Sequence, residues 1–186
     1  MKRCIGFFVC IIMLFGICGC RILPDSLTSG ISVTDGDKFR TVNIDGYNVS
    51  IDIPKDLVVD MNDTDLDLFC NNGDFSMGVF CYSAIDLAEG DTSKKLWERQ
   101  CEYDLERFKK VQNLEHKPDF KSTDKTSDTA LHSFENEGTK LYAYYIFAEA
   151  KENPDTFVWI TFMGVPSEIR DSFDDLERIV DSIAFK

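Results

Sequence analysis

Between Thr41 and Ile53 apolar and polar residues alternate on both sides of Asp45-Gly46, with Val42 and Ile44 before it and Tyr47, Val49, Ile51 and Ile53 after it. A period of two is the period of a strand with one buried face, and Asp-Gly tolerates the positive φ of a two-residue hairpin turn. The segment therefore reads as a β-hairpin. Pro54 closes it, because proline has no N–H for the next ladder bond. A second hairpin is predicted from Asp65 to Cys70 and Phe75 to Ser83, around Asn71-Asn72-Gly73-Asp74, with Cys70 opposite Phe75. After the cap cluster Asp91-Thr92-Ser93 the period changes to 3.6: Trp97, Cys101, Leu105 and Phe108 fall on one stripe, which predicts an amphipathic helix from Ser93 to Lys110.

Further strands follow at Lys117 to Thr123, Ala130 to Asn136, Lys140 to Ala150 (turning at Glu137-Gly138) and Phe157 to Met163, after a turn holding Asn153-Pro154. Every residue from Leu141 to Phe147 is apolar or aromatic, the mark of a strand covered on both faces. Pro166-Ser167 starts a last helix whose stripe is Ile169, Phe173, Leu176, Val180 and Ile183. Hairpin-joined strands with one helix in the middle and one at the end indicate an α+β fold, an antiparallel sheet carrying helices on both faces. With 186 residues, among them 15 Phe, 6 Tyr and 2 Trp, the chain has enough bulky apolar surface for one such domain.

The N-terminus is of another kind. Lys2 and Arg3 precede an apolar run from Cys4 to Gly19 that holds no acidic residue and is short for a membrane-spanning helix. It reads as an export signal, residues 1–19. Its end, Ile17-Cys18-Gly19-Cys20, resembles the lipobox of bacterial lipoprotein signals. That resemblance implies cleavage before Cys20, a diacylglycerol thioether on its sulfur, and attachment to the outer face of the cell membrane. A plain signal peptide and an uncleaved anchor are the alternatives. Residues 20–37, rich in Ser, Thr, Gly and Asp, then read as the lipidated cysteine and a flexible tether, spanning on the order of 20–25 Å. Residues 38–186 read as a single domain.

Lys2 and Arg3 leave with the signal and no acidic residue does, so 18 basic side chains remain against 33 acidic ones, net about −15. Such a charge excludes nucleic acid as a partner, since polyphosphate binding needs Lys and Arg. It also keeps the body away from anionic headgroups. Outside the signal and lipid site the cysteines are Cys70, Cys81 and Cys101, either three buried thiols or one bridge from Cys101 to Cys70 or Cys81 with one thiol left over. None of these has CxxC spacing, and His116 and His132 have no ligand-spaced partner.

Asp60, Asp63, Asp65 and Asp67 suggest calcium, but a loop read from Asp63 has Leu68 in place of the required Gly and Asp74 in place of the bidentate Glu. HExxH, GxSxG, P-loop and GxGxxG are absent from the sequence. No catalytic residue, metal ligand or cofactor is therefore nominated, and the expectation is a protein that is not an enzyme. The aromatic set Tyr142, Tyr144, Tyr145, Phe147, Phe157, Trp159 and Phe162 reads as core, with a ligand cleft as the alternative.

The run Tyr47-x-Val49-x-Ile51-x-Ile53-Pro54, the single central helix, the late strand pairs and the ending Ile179-Val180-Asp181-Ser182-Ile183-Ala184-Phe185 resemble the PsbP-like proteins. That group includes the extrinsic subunit of photosystem II, a Ran-binding nuclear protein and small bacterial lipoproteins. The resemblance implies a three-layer α/β/α sandwich and carries no catalytic residues with it. Two functions are compatible with it: a membrane-anchored module that binds a protein or assists envelope assembly, and a lipoprotein that carries a lipid, glycan or peptide.

Overall fold

The structure is a computed structural model and describes residues 31–60, 67–73, 75–115, 125–152 and 156–186. The predicted signal, Cys20, the strand expected at Lys117 to Thr123 and the Asn153-Pro154 turn lie outside the described residues. β1 (Ile31–Asp35), β2 (Phe39–Ile44) and β3 (Val49–Pro54) form an antiparallel meander, which β11 (Ala184–Phe185) completes as a four-stranded sheet in the order β1-β2-β3-β11. β4 (Val58–Asp60), β5 (Leu68–Asn71), β6 (Phe75–Ser83), β7 (Lys109–Asn113), β8 (Lys125–Asn136), β9 (Thr139–Ala150) and β10 (Thr156–Gly164) form a seven-stranded antiparallel sheet in the order β4-β5-β6-β10-β9-β8-β7. The helices are α1 (Ser93–Glu106), α2 (Pro166–Asp171) and α3 (Phe173–Ser182).

The large sheet is packed on both faces, and the period of two decides which residue goes where. Tyr145, Phe147, Phe157 and Trp159 join Phe80 and the Trp97 and Cys101 side chains of α1 on one face. Their neighbours Tyr144, Ile146, Val158 and Ile160 join Met77, Val79 and Cys81 on the other. There they meet Ile169, Leu176, Ile179 and Val180 of α2 and α3, and Val42, Ile44, Val49, Ile51 and Ile53 of the small sheet. Each such buried side chain contributes about 1.5–3 kcal/mol. The antiparallel sheet with helices on both faces, and the covered strand at Leu141 to Phe147, are what the pattern of apolar residues predicts.

Several details differ. The first hairpin turns through four residues, Asp45 to Asn48, with Asn48 at φ 55, so Ile44 pairs with Val49 and Tyr47 stands in the loop. In the second hairpin Cys70 lies opposite Met77, not Phe75. Both registers are displaced by two residues, which preserves every in/out assignment because the side-chain period is also two. Helix α1 stops at Glu106, four residues early, and Lys109 opens β7, a strand the sequence did not suggest, with Lys110 at φ 54. The terminal helix is broken at Ser172, whose hydroxyl donates to the Glu168 carbonyl at 2.7 Å. It ends at Ser182, so Ala184 and Phe185 are strand, not helix. Finally, Ile31–Asp35, within the segment expected to be tether, is the outer strand of the small sheet.

Candidate functional site

Of the residues singled out in the sequence, Cys20, His116, Asp63 and Asp65 lie outside the described residues. Asp67 is buried and serves the sheet: its carboxylate accepts the Cys81 N–H at 2.7 Å, and its own N–H donates to the Val79 carbonyl at 3.1 Å. His132 stands in β8, edge-on to the Tyr145 ring at 6.0 Å. Tyr144, Tyr145, Phe147, Phe157, Trp159 and Phe162 are each at most 2% exposed, divided between the two faces of the large sheet. They are core. Only Tyr142 of that set reaches the surface.

Cys70, Cys81 and Cys101 are free and buried. Cys101 faces α1's side of the sheet and the other two face the opposite side, so a bridge to Cys101 would have to cross the sheet. Cys70 and Cys81 are also apart: Cys81 is four residues beyond Met77, the partner of Cys70, about 13 Å along the strand. Burial pushes the Cys70 thiol up to about 12 and raises Cys101 as well, which leaves almost no thiolate to act as nucleophile near neutral pH.

One hollow opens where β7, β8 and β9 meet. Lys110, Gln112, Ser133, Phe134, Glu135 and Lys140 line about 200 Å³. The register explains the grouping, since Glu135 pairs with both Lys109 and Lys140, and Ser133 with both Gln112 and Tyr142. The Tyr142 ring, beside this hollow, carries the Lys140 ammonium at 5.8 Å and the Arg170 guanidinium at 5.6 Å from its centre. Lys110 is held by Glu135, so the two charges largely cancel. The arrangement offers polar and cationic contacts to a partner. Sequence reasoning missed it because Lys109 and Lys110 were read as the end of α1 and no strand was read before Lys117. The bulge at Lys110 is a feature that no residue pattern announces.

Among the described residues no group of three or more His, Cys, Asp or Glu is placed to hold a metal ion, and no helix is long and apolar enough to cross a membrane.

No protein-family model matches the chain, and no curated protein matches it in sequence. Solved structures do. The Ran-binding protein Mog1p of Saccharomyces cerevisiae is similar over 84% of this chain and 96% of its own, at 12% identity and a TM-score of 0.56. LpqN of Mycobacterium tuberculosis, involved in cell envelope biogenesis, is similar over 83% of this chain and 90% of its own, at 8% identity and a TM-score of 0.56. The fold is PsbP-like. At such identities the likeness concerns the PsbP-like fold alone.

Proposed function

We propose that this chain is a membrane-anchored extracytoplasmic lipoprotein whose PsbP-like body is a non-catalytic module that binds a protein or assists envelope assembly. Cys20 is the lipidated residue, residues 1–19 are the signal, and the polar residues after Cys20 hold the body clear of the membrane. The observation that carries this reading is the packing among the described residues: aromatic side chains fill both faces of the large sheet, so these residues offer a partner their surface. The hollow of about 200 Å³ at β7–β9 is small beside the roughly 300–1,000 Å³ of ligand pockets. The shared fold of a Ran-binding protein and of a protein involved in cell envelope biogenesis is consistent with an accessory role.

A second reading, a carrier of a small lipid, glycan or peptide, rests on that same hollow, lined in part by Lys140, whose ammonium lies over the Tyr142 ring. Crosslinking in the native envelope followed by mass spectrometry distinguishes the two. The module should be captured with one or a few proteins, while a carrier should copurify with a small molecule and lose it in a Tyr142→Ala, Lys140→Ala variant. For the anchor, a tagged fatty acid should label the wild-type chain and not Cys20→Ser; equal labelling of both refutes it.

A further inference from the structure

The helices on the two faces of the large sheet are held unequally. α3 buries Leu176, Ile179 and Val180, each at 0% exposure, and α2 adds Ile169. α1 has 14 residues against the 10 of α3, yet it buries only two apolar side chains, Trp97 and Cys101, because Ser93 and Asp104 take the other buried positions. Leu96, Leu105 and Phe108 reach the same cluster but are only partly buried. Apolar burial is what holds a helix to a sheet, so α1 is the weaker cover. Its largest anchor is also imperfect: the Trp97 indole N–H is buried without a hydrogen-bond acceptor, and water would supply one if the helix lifted.

The bonds that tie α1 to the sheet lie in its first turn. The Ser93 hydroxyl donates to the Glu149 carboxylate at 2.6 Å, and Lys94 reaches Asp128 at 2.6 Å with both side chains open to solvent. Such an exposed pair is weak and screened by salt. Just before the helix, Gly90 stands at φ 81 with open space where a Cβ would be. The far end is fixed differently. The Phe108 ring stacks on buried Phe134 at 4.0 Å, and the chain runs on into β7. α3, by contrast, is tied to β3 through its last turn, where the Asp52 N–H donates to the Ser182 hydroxyl at 2.8 Å.

We propose that α1 is a cover that opens on its own, lifting from the large sheet at its N-terminal end and pivoting near Phe108 while α2, α3 and the small sheet stay folded. Opening removes the Trp97 ring from Phe147, 5.9 Å away, and uncovers Phe147 beside Phe157. Rings that the closed body keeps at most 2% exposed then face solvent for a fraction of the time. The motion does not depend on the lipid anchor, so failure at Cys20 and failure at α1 are separate results.

The test is hydrogen exchange of the chain purified from cells, read by peptide mass. The helically bonded amides of α1 should exchange at least about tenfold faster than those of α3. Equal protection of the two helices overturns the proposal. Ser93→Ala removes the bond to Glu149 and leaves the Thr92 cap in place, so it should speed exchange of α1 about tenfold and leave α3 unchanged. The same acceleration in both helices, or none in either, contradicts a separate opening. The thiols supply a readout that needs no substitution, since Cys101 lies in α1 and Cys70 and Cys81 face the other side of the sheet. Without urea the open state is rare and Cys101 reacts slowly. In urea below the unfolding midpoint iodoacetamide should reach Cys101 first, and labelling of all three thiols together overturns the proposal.

Discussion

Lys125 is only 3% exposed, with its Nζ donating at 3.0 Å to the Asp181 carbonyl near the C-terminal end of α3. A cation there meets the negative end of the helix dipole and satisfies a carbonyl with no partner within the helix. Lys125→Met keeps the aliphatic stem and removes the donor, so it should cost about 1–3 kcal/mol in urea unfolding; an unchanged midpoint contradicts this role. The thiols make a second prediction. Cys70 keeps its proton in the folded chain up to about 12, against an ordinary value of 9.0, because burial disfavours the thiolate. Between those values the unfolded chain releases the proton and the folded chain retains it, so stability falls as pH rises through that window. Cys70→Ala should make the alkaline loss of stability shallower. At pH 8 iodoacetamide should modify Cys70, Cys81 and Cys101 only after denaturation, as read by peptide mass mapping; rapid native labelling of any of them contradicts their burial.

At the scale of elements, local chemistry sets boundaries where packing does not. Thr92 caps α1 by accepting the Lys95 N–H at 3.2 Å, and Arg99 donates twice to Asp91, at 3.0 and 2.7 Å, holding that carboxyl below its usual range. The β8–β9 hairpin turns on Glu137 at φ 50 and Gly138 at φ 81, positive at both central positions. Gly138→Ala should cost about 1 kcal/mol, because only glycine adopts that φ without strain. A thermal melt indistinguishable from wild type would show that the turn is not held by its glycine.

This hairpin and the cap at Thr92 were legible because a named residue type forces each. The register of the first hairpin was not, since Asp-Gly also suits the longer turn that places Asn48 in the left-handed region. Nor was the break in the last helix. Its stripe from Ile169 to Ile183 continues in phase across Ser172, and the competing bond from the Ser172 hydroxyl leaves no mark on periodicity. β1 and β7 were missed for a shared reason: outer strands bury little, and what alternation they carry, Ile31 and Val33 in β1, is too short to mark a strand.

For the whole molecule, the layers follow from apolar runs that only two covered faces can accommodate, so the fold could be read from residues such as Leu141 to Phe147. Function is a different matter. The most specific sequence feature, Ile17-Cys18-Gly19-Cys20, lies outside the described residues, and the hollow beside Tyr142 depends on the β7 bulge. In the proposed function the anchor supplies position, the body supplies surface, and no single carboxylate supplies chemistry. In a deletion strain with a measurable phenotype, complementation by Cys20→Ser and by a panel of folded Asp→Asn and Glu→Gln variants tests that claim most directly. The prediction is that each carboxylate variant restores the phenotype and the unanchored chain does not. A catalytic carboxylate would cost orders of magnitude in rate, while loss of an anchor leaves chemistry intact. One folded carboxylate variant that fails, beside a Cys20→Ser chain that restores function, would contradict the account.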